Sequence, residues 1–414
     1  TLPPGIDATV RADGYLTLEV TAGDPDGEPL VCQWRTSDPG GFSSLSRTEM
    51  HYGPGGWVSR WEFHPPPDAP VNSIYTLECV VTDPRGGSAT GRIGATGTVQ
   101  ILPAQRIAFT DAVGARTYAM NVDGTGLTTM DPGQPGIRYK ICGWSPDGSK
   151  LLIKSSAGWT GVGEDRMDLY VMNHDGSGLA RVLDTRAAGF QGLLFPCFSP
   201  DGTQIAVSGD TGTFQIGLLT ADGKDPSNPS RAGPQIVCDT GMDINRNHSF
   251  SMAWHPSAPR LLFGMSEASD PTRADLMEYE LGSPAPVALL SIPGSIETEP
   301  AYSPDGRTVV YASGTLSFRV DPTTVWVATE LWRLPCDPTR PAGTGATGPP
   351  TLFVGGGSEQ CNSPVFSPDG QRLVFESNRS GNQEVWVSAP DGSNARQLTS
   401  NGAVMFEDDP FWTR

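Results

Sequence analysis

The sequence predicts an all-β protein built in two parts, and three observations carry that expectation. The composition, 37% hydrophobic and 18% charged with 50 Gly and 38 Pro in 414 residues, suits many tight turns rather than long helices. Short segments that alternate polar and apolar residues, bounded by Gly, Asp and Pro clusters, run through the chain. One turn motif recurs at intervals of about fifty to sixty residues, which marks a repeat array.

Residues 1–103 make the first part. "LTLEVTAGDPDGEPLVCQWRTSD" holds two period-2 strands around a turn cluster, and "YTLECVVTDPRGGSATGRIGATGTVQI" holds two more, a small β-sandwich pattern. Leu30, Cys32 and Trp34 share one face of their strand, as do Tyr75, Leu77, Cys79 and Val81 of theirs. Both cysteines therefore point into one core, and a Cys32–Cys79 disulfide fits that placement.

Residues 104–414 carry the repeats. "GWSPDGSKLLIKSS" from Gly143, "CFSPDGTQIAVSGD" from Cys197, "AYSPDGRTVVYASG" from Ala301 and "VFSPDGQRLVFESN" from Val365 are clear copies, with "AWHPSAPRLLFGMS" from Ala253 a degenerate one. In Ser-Pro-Asp-Gly, Pro presets φ, Gly takes a left-handed position, and Ser and Asp bond nearby backbone donors. A second half such as "EVWVSAPDGSNARQLT" adds a hairpin closed by Asp-Gly, so each repeat supplies four short strands, the size of a propeller blade.

The first unit lacks the aromatic opening, whereas the terminal "EDDPFWTR" matches the strand that precedes the motif elsewhere. A six-bladed β-propeller closed by the C-terminal strand is the expectation. The opening aromatics Trp144, Phe198, Trp254, Tyr302, Phe366 and Trp412 are expected to wedge between blades. A serine repeated in four blades with no nearby base is a corner, not a nucleophile.

Two resemblances add to this reading. "DPDGEPLVCQW" with "YTLECVVTDPRGGSAT" resembles the bacterial Ig-like, PKD or cadherin-like modules of exported and surface proteins, which serve as spacers, stalks and adhesion units. By that likeness Asp24, Asp26 and Asp83 either ligate calcium at the module edge or act as turn formers that bond their own backbone. The repeats resemble the WD40-like propeller repeats of the TolB type over residues 105–414, through the aromatic-Ser-Pro-Asp-Gly opening and the later "DG(S/T)" hairpin. Proteins of that type carry an amino-terminal α/β domain used in envelope assembly, where this chain has the Ig-like module. The resemblance thus implies the fold and not a Tol–Pal role.

Candidate ligand residues lie just ahead of each aromatic opening, where the inner strands face the expected channel: Tyr139 and Lys140, Leu193 and Leu194, Ser249 and Phe250, Glu297 and Thr298, Asn362, then Glu407, Asp408 and Asp409. The last three either hold a cation or form a solvated acidic turn. Some TolB-like propellers are polysaccharide lyases with several histidines and a metal in the channel. Of the five histidines here only His248, in "NRNH" with Arg246, lies near an expected inner strand; one histidine does not make a metal site, and the segment is either a polar loop or the first place to look for an anionic sugar. Propeller peptidases append an α/β-hydrolase domain with Gly-x-Ser-x-Gly, and this chain has no such motif. Cys336 and Cys361 flank the Gly/Pro/Thr-rich stretch "DPTRPAGTGATGPPTLFVGGGSEQ", and either staple it as a disulfide or stand as two separate buried thiols.

The net charge of −18 repels nucleic acid and anionic lipid, and no apolar run is long enough to span a bilayer. Seven cysteines without C-x-x-C spacing exclude a zinc ribbon. A chain that starts at Thr1 reads as a mature form after signal-peptide removal. The leading expectation is an extracytoplasmic, non-catalytic interaction or scaffold protein, a subunit of a periplasmic or cell-surface assembly with protein partners and no cofactor beyond calcium. The competing one is a carbohydrate-active enzyme, lyase-like, or a glycan-binding protein that uses the channel.

Overall fold

The regular elements among the described residues of the computed structural model are all β-strands, and in the larger unit many of them, such as Arg106–Asp111 and Leu373–Ser377, are buried on both faces. Residues 8–11, 16–38, 41–53, 56–65, 74–92, 98–102, 105–111, 116–132, 134, 136–157, 167–190, 192–193, 196–210, 213–239, 249–267, 270–318, 325–355, 359–400 and 407–412 are described. The chain divides into two compact units, Thr1–Gln105 and Arg106–Arg414.

In the smaller unit one sheet runs in the order Ala8–Arg11, Thr98–Leu102, Ile74–Thr82, Val31–Asp38, Gly41–Glu49, with Ser88–Arg92 also paired to Ile74–Thr82. A second sheet sets Leu16–Ala22 and His51–Gly53 on either side of Gly56–Phe63. Alternation places Cys32, Trp34, Leu77 and Cys79 in one buried cluster with Phe63 and Val99, and Trp61 stacks on Trp34 at 5.8 Å. Cys32 and Cys79 are joined as a disulfide with Cα atoms 6.1 Å apart.

The larger unit repeats one plan six times. Its second sheet shows it plainly: Tyr139–Trp144, Lys150–Ser155, Asp168–Asn173 and Ala180–Leu183 pair in sequence order, antiparallel throughout. The fourth and fifth sheets follow the same order and touch through a single parallel pairing, Ala274 with Ile296. The first sheet takes three strands from Arg106 to Thr129, and its remaining strand is Glu407–Trp412, with Ile107 opposite Trp412.

Six apolar clusters each join two sheets. Ala108 and Ala119 of the first meet Tyr139, Ile141 and Ile153 of the second. The same holds from the second to the sixth. The remaining cluster packs Val374, Val385 and Val387 of the sixth sheet against Ile107, Phe109 and Trp412 of the first.

The stretch after Cys336 is ordered by its neighbour. The Gly343 amide donates to Glu278 Oε2 at 2.6 Å and Arg260 Nη2 to the Arg340 carbonyl at 2.7 Å, so this fifth-sheet insertion packs on the fourth sheet. Cys336 and Cys361 are not bridged: both are buried free thiols. They lie in different cores, Cys336 with Leu262 and Tyr302, Cys361 with Phe366 and Phe375, so the disulfide alternative is corrected to separate thiols.

Candidate functional site

The repeated corner builds one end of the site. In all four Ser-Pro-Asp-Gly copies the Ser Oγ donates to the Asp Oδ1 at 2.6 Å. The same oxygen accepts, at 2.9 Å, the amide of the residue five positions on. Glycines 148, 202, 306 and 370 sit at φ of +68° to +71°, the left-handed geometry the motif requires. Bonds from the Ser hydroxyls hold the Asp201 and Asp305 carboxyls below the ordinary aspartate range. In the degenerate copy His255 stands in for Ser, its Nδ1 accepting the amides of Ser257 at 3.2 Å and Ala258 at 3.0 Å.

Successive corners abut. A side chain on Gly202 would meet Pro146 Cδ at 3.3 Å, and one on Gly370 would meet Pro304 Cδ at 3.4 Å, so these two corners seat on the proline of the one before, whereas Gly306 lies against His255 of the degenerate corner. The opening aromatics fill the gaps between sheets, and the Trp254 indole donates across one to the Cys197 carbonyl at 3.3 Å. Tyr302 is buried on the other side of the fourth sheet, its hydroxyl donating to Glu278 Oε1 at 2.6 Å.

Inner-strand residues from all six sheets line one cavity of about 410 Å³. Its wall is apolar and stiff, with corner prolines 146, 200, 256, 304 and 368 and the aromatics beside them. Ser251, Glu299 and Ser363 line it too, and each stands three residues before its aromatic at φ of 50°, 51° and 49°. The pairing register shifts at each of these points, so all three are β-bulges. A non-glycine residue in this region costs about 1–3 kcal/mol, and strain repeated at one position in three sheets around a cavity points to use of that cavity. Glu299 Oε2 accepts the Ser363 amide at 2.7 Å, and Glu299 is the only charged residue among the described lining.

The residues singled out from sequence lie elsewhere. None of Lys140, Glu297 and Asn362 lines the cavity; they precede it on their strands. Lys140 pairs in register with Lys154, whose Nζ donates to the Leu193 carbonyl at 3.3 Å. Asn362 Oδ1 accepts the Thr329 hydroxyl. Glu297 is wholly buried, with Oε1 taking Ser313 Oγ at 3.3 Å and Oε2 without a hydrogen-bond partner. Burial raises its carboxyl above the ordinary glutamate range. The strand bearing Glu407, Asp408 and Asp409 pairs with Arg106–Asp111, with Thr110 opposite Asp408 and Asp111 opposite Glu407. The side chains of those three acids, together with Leu194, Arg246 and His248, lie outside the described residues.

In the smaller unit the acidic turns are occupied by their own chain. Asp24 Oδ1 accepts the Asp26 amide at 2.7 Å, Asp83 Oδ1 accepts those of Arg85 and Gly87, and the Arg85 guanidinium bridges Asp26 and Glu28 at 2.7 and 2.9 Å. This is turn-former geometry, with an arginine where a cation would sit. Among the described residues no three His, Cys, Asp or Glu side chains gather as a metal site.

One recurring device escaped the sequence reading. A carboxylate and a threonine tie the third strand of a sheet to the fourth strand or the turn just past it: Asp168 with the Thr185 amide at 3.0 Å, Glu384 with Thr399 Oγ1 at 2.7 Å, and, with the roles exchanged, Thr117 with Asp131 and Thr213 with Asp239. Its trace is the acid that opens "DLYV" and "EVWV" and the threonine that closes "VLDT" and "RQLT".

Comparison with solved structures gives this arrangement a place. TolB from Acinetobacter baumannii superposes with a TM-score of 0.52 at 15% identity, over 82% of this chain and 79% of that one. Six units on this plan among the described residues, the third with its inner strand split into Gly192–Leu193 and Cys197–Phe198, and this likeness decide the fold. It is a TolB-like β-propeller. Hydrazine synthase from Kuenenia stuttgartiensis shares the propeller with a TM-score of 0.54 at 12% identity, over 75% of this chain and 46% of that one. The fold by itself therefore does not choose a function. Among curated proteins, the Tol-Pal system protein TolB of Anaeromyxobacter dehalogenans strain 2CP-C is 36% identical over 118 residues, 28% of this chain. The match spans 22% of the length of that relative. No protein-family model matches the chain. No helix among the described residues is long and apolar enough to cross a membrane.

Proposed function

We propose that this chain is an extracytoplasmic interaction scaffold, a subunit of a periplasmic or cell-surface assembly, in which an Ig-like module of residues 1–103 precedes a propeller of residues 104–414. The propeller is a six-bladed ring closed by the strand Glu407–Trp412, a reading supported by that strand's pairing to Arg106–Asp111 and by the apolar cluster between sixth and first sheets. Partner proteins dock over the axial cavity. One observation carries this role: three strained bulges, at Ser251, Glu299 and Ser363, converge on a cavity whose proline and aromatic wall is fixed before any partner arrives. The Cys32–Cys79 disulfide supports an oxidising compartment, and the curated relatives' place in the Tol-Pal system supports an envelope setting.

The test is affinity capture from the exported fraction of the native host with the wild-type chain and with Ser251→Trp, which fills the cavity. The expected result is a partner retained by the wild type and lost from a variant of unchanged melting temperature. Equal retention by both would remove the cavity as the dock. The glycan-directed reading rests on Arg246 and His248, and no described side chain adds to it.

A further inference from the structure

We infer that His255 makes the corner of the fourth sheet an acid-released latch: it holds the corner closed only as a neutral imidazole, and a proton on it opens the corner together with the stretch of cavity wall that Pro256 supplies. The latch does not depend on a partner docking in the cavity. Four corners of the larger unit are closed by a serine hydroxyl, which takes up no proton in the working range of pH. At the degenerate one His255 Nδ1 accepts the amides of Ser257 at 3.2 Å and Ala258 at 3.0 Å. A nitrogen that accepts two N–H groups carries no hydrogen, so the ring is neutral with its proton on Nε2. A second proton would set an N–H where two N–H groups already point, and both bonds would be lost together.

The surroundings do not compensate an imidazolium. The ring is 1% exposed and stands edge-on to Tyr302 with centroids 4.8 Å apart, and a side chain on Gly306 would meet Nε2 at 3.0 Å. Nε2 has no hydrogen-bond partner. The second strand of the same sheet brings Arg260, itself buried and a like charge for a protonated ring. The third brings Glu278, whose oxygens are both engaged: Oε1 with the Tyr302 hydroxyl at 2.6 Å and Arg260 Nη1 at 3.5 Å, Oε2 with the Gly343 amide at 2.6 Å. In the fifth-sheet corner that carries Gly306, Asp305 is bonded by the Ser303 hydroxyl at 2.6 Å and Arg307 is exposed; in the insertion, Asp337 pairs with Arg340 at 3.4 Å. Burial pushes the Tyr302 hydroxyl well up and the Cys336 thiol to about 12, so neither ionises near neutral pH. Burial first, then Arg260, holds the His255 imidazole below the ordinary histidine range, and Glu278 acts against that shift. A lowered value means a contribution fully present above the unfolded-state pKa of about 6.5 and lost progressively as pH falls below it.

Hydrogen–deuterium exchange of the full chain tests the latch, read by mass spectrometry on the peptide that carries Ser257 and Ala258 and corrected at each pH for the intrinsic exchange rate. The comparison is His255→Asn, whose side-chain oxygen takes the place of Nδ1 and does not titrate. Between pH 7.5 and 5 the opening constant of the wild type should rise by about tenfold or more relative to that of the variant, since one proton taken up on opening is worth up to about tenfold per pH unit below 6.5. Glu297 and the corner aspartates are common to both proteins and cancel in the ratio. Parallel profiles would overturn the latch, whatever the absolute stability of the variant. Should His255→Asn fail to fold, wild-type chain labelled with 15N-histidine decides the matter. A solvent-shielded imidazole with a bare Nδ1 that stays neutral until the peptide loses protection supports the latch. The absence of such an imidazole, or its protonation while the peptide stays protected, contradicts it.

Discussion

The Glu299 carboxylate accepts the amide of Ser363 at 2.7 Å, which ties the bulge of the fifth sheet to that of the sixth along the cavity wall. Removing the acceptor leaves a buried N–H without a partner, the more costly half of losing a hydrogen bond. Glu299→Ala is expected to lower the stability of the larger unit by about 1–3 kcal/mol, and Glu299→Gln by under about 1 kcal/mol. Denaturant titration of the three proteins measures the difference.

The corners set an acid limit. Asp201 and Asp305 have depressed carboxyl pKa values because the Ser199 and Ser303 hydroxyls, then backbone amides, bond the ionised form. A depressed value means stability present above the unfolded-state pKa, about 4, and lost as pH falls through the folded value. Thermal midpoints should drop as pH is lowered below about 4, and Ser199→Ala should lower the neutral-pH stability by about 1 kcal/mol while flattening part of that slope.

Glu297 works in the opposite sense. Its raised pKa, caused first by burial, means that the folded state favours the neutral carboxyl. Its contribution is fully present below the unfolded-state value of about 4.3 and is lost as pH rises through the folded one. Glu297→Gln, which is permanently neutral, should raise the melting temperature at neutral pH and leave it nearly unchanged at pH 4. A melting temperature lowered at both pH values would mean that the carboxylate is ionised and paired.

The disulfide belongs to the smaller unit alone, since the five other described cysteines are unbridged. Reduction, or the pair Cys32→Ser and Cys79→Ser, should destabilise that unit by about 2–5 kcal/mol. The transition of the propeller should stay in place, which differential scanning calorimetry resolves as one moving and one fixed peak.

Much of this molecule was legible where chemistry is local. Ser-Pro-Asp-Gly dictates its own turn, so counting its four copies together with the degenerate and terminal openings counted sheets, and alternation put Cys32 and Cys79 on one face of neighbouring strands, in one core. What depended on pairing register was not legible. The left-handed bulges fall on Ser251, Glu299 and Ser363, residue types with no shared preference for that conformation, and only the mismatch between inner and second strands creates them. The ligand candidates Lys140, Glu297 and Asn362 were therefore placed one turn of the bulge too early along their strands relative to the cavity. The carboxylate–threonine ties were hidden because the partners exchange ends between Asp168–Thr185 and Thr117–Asp131, so no single spacing reports them. Nearness in sequence also misled: Cys336 and Cys361 end the same long segment yet face two different cores.

The central claim is that partners dock at the cavity, and photo-crosslinking tests it most directly. A benzophenone amino acid placed at Ser251, on the cavity wall, is compared in cells of the native host with one at Leu352, exposed on an outer strand of the fifth sheet. The account predicts a discrete cross-linked partner from position 251 and none from 352. Cross-links from 352 with none from 251 would contradict it.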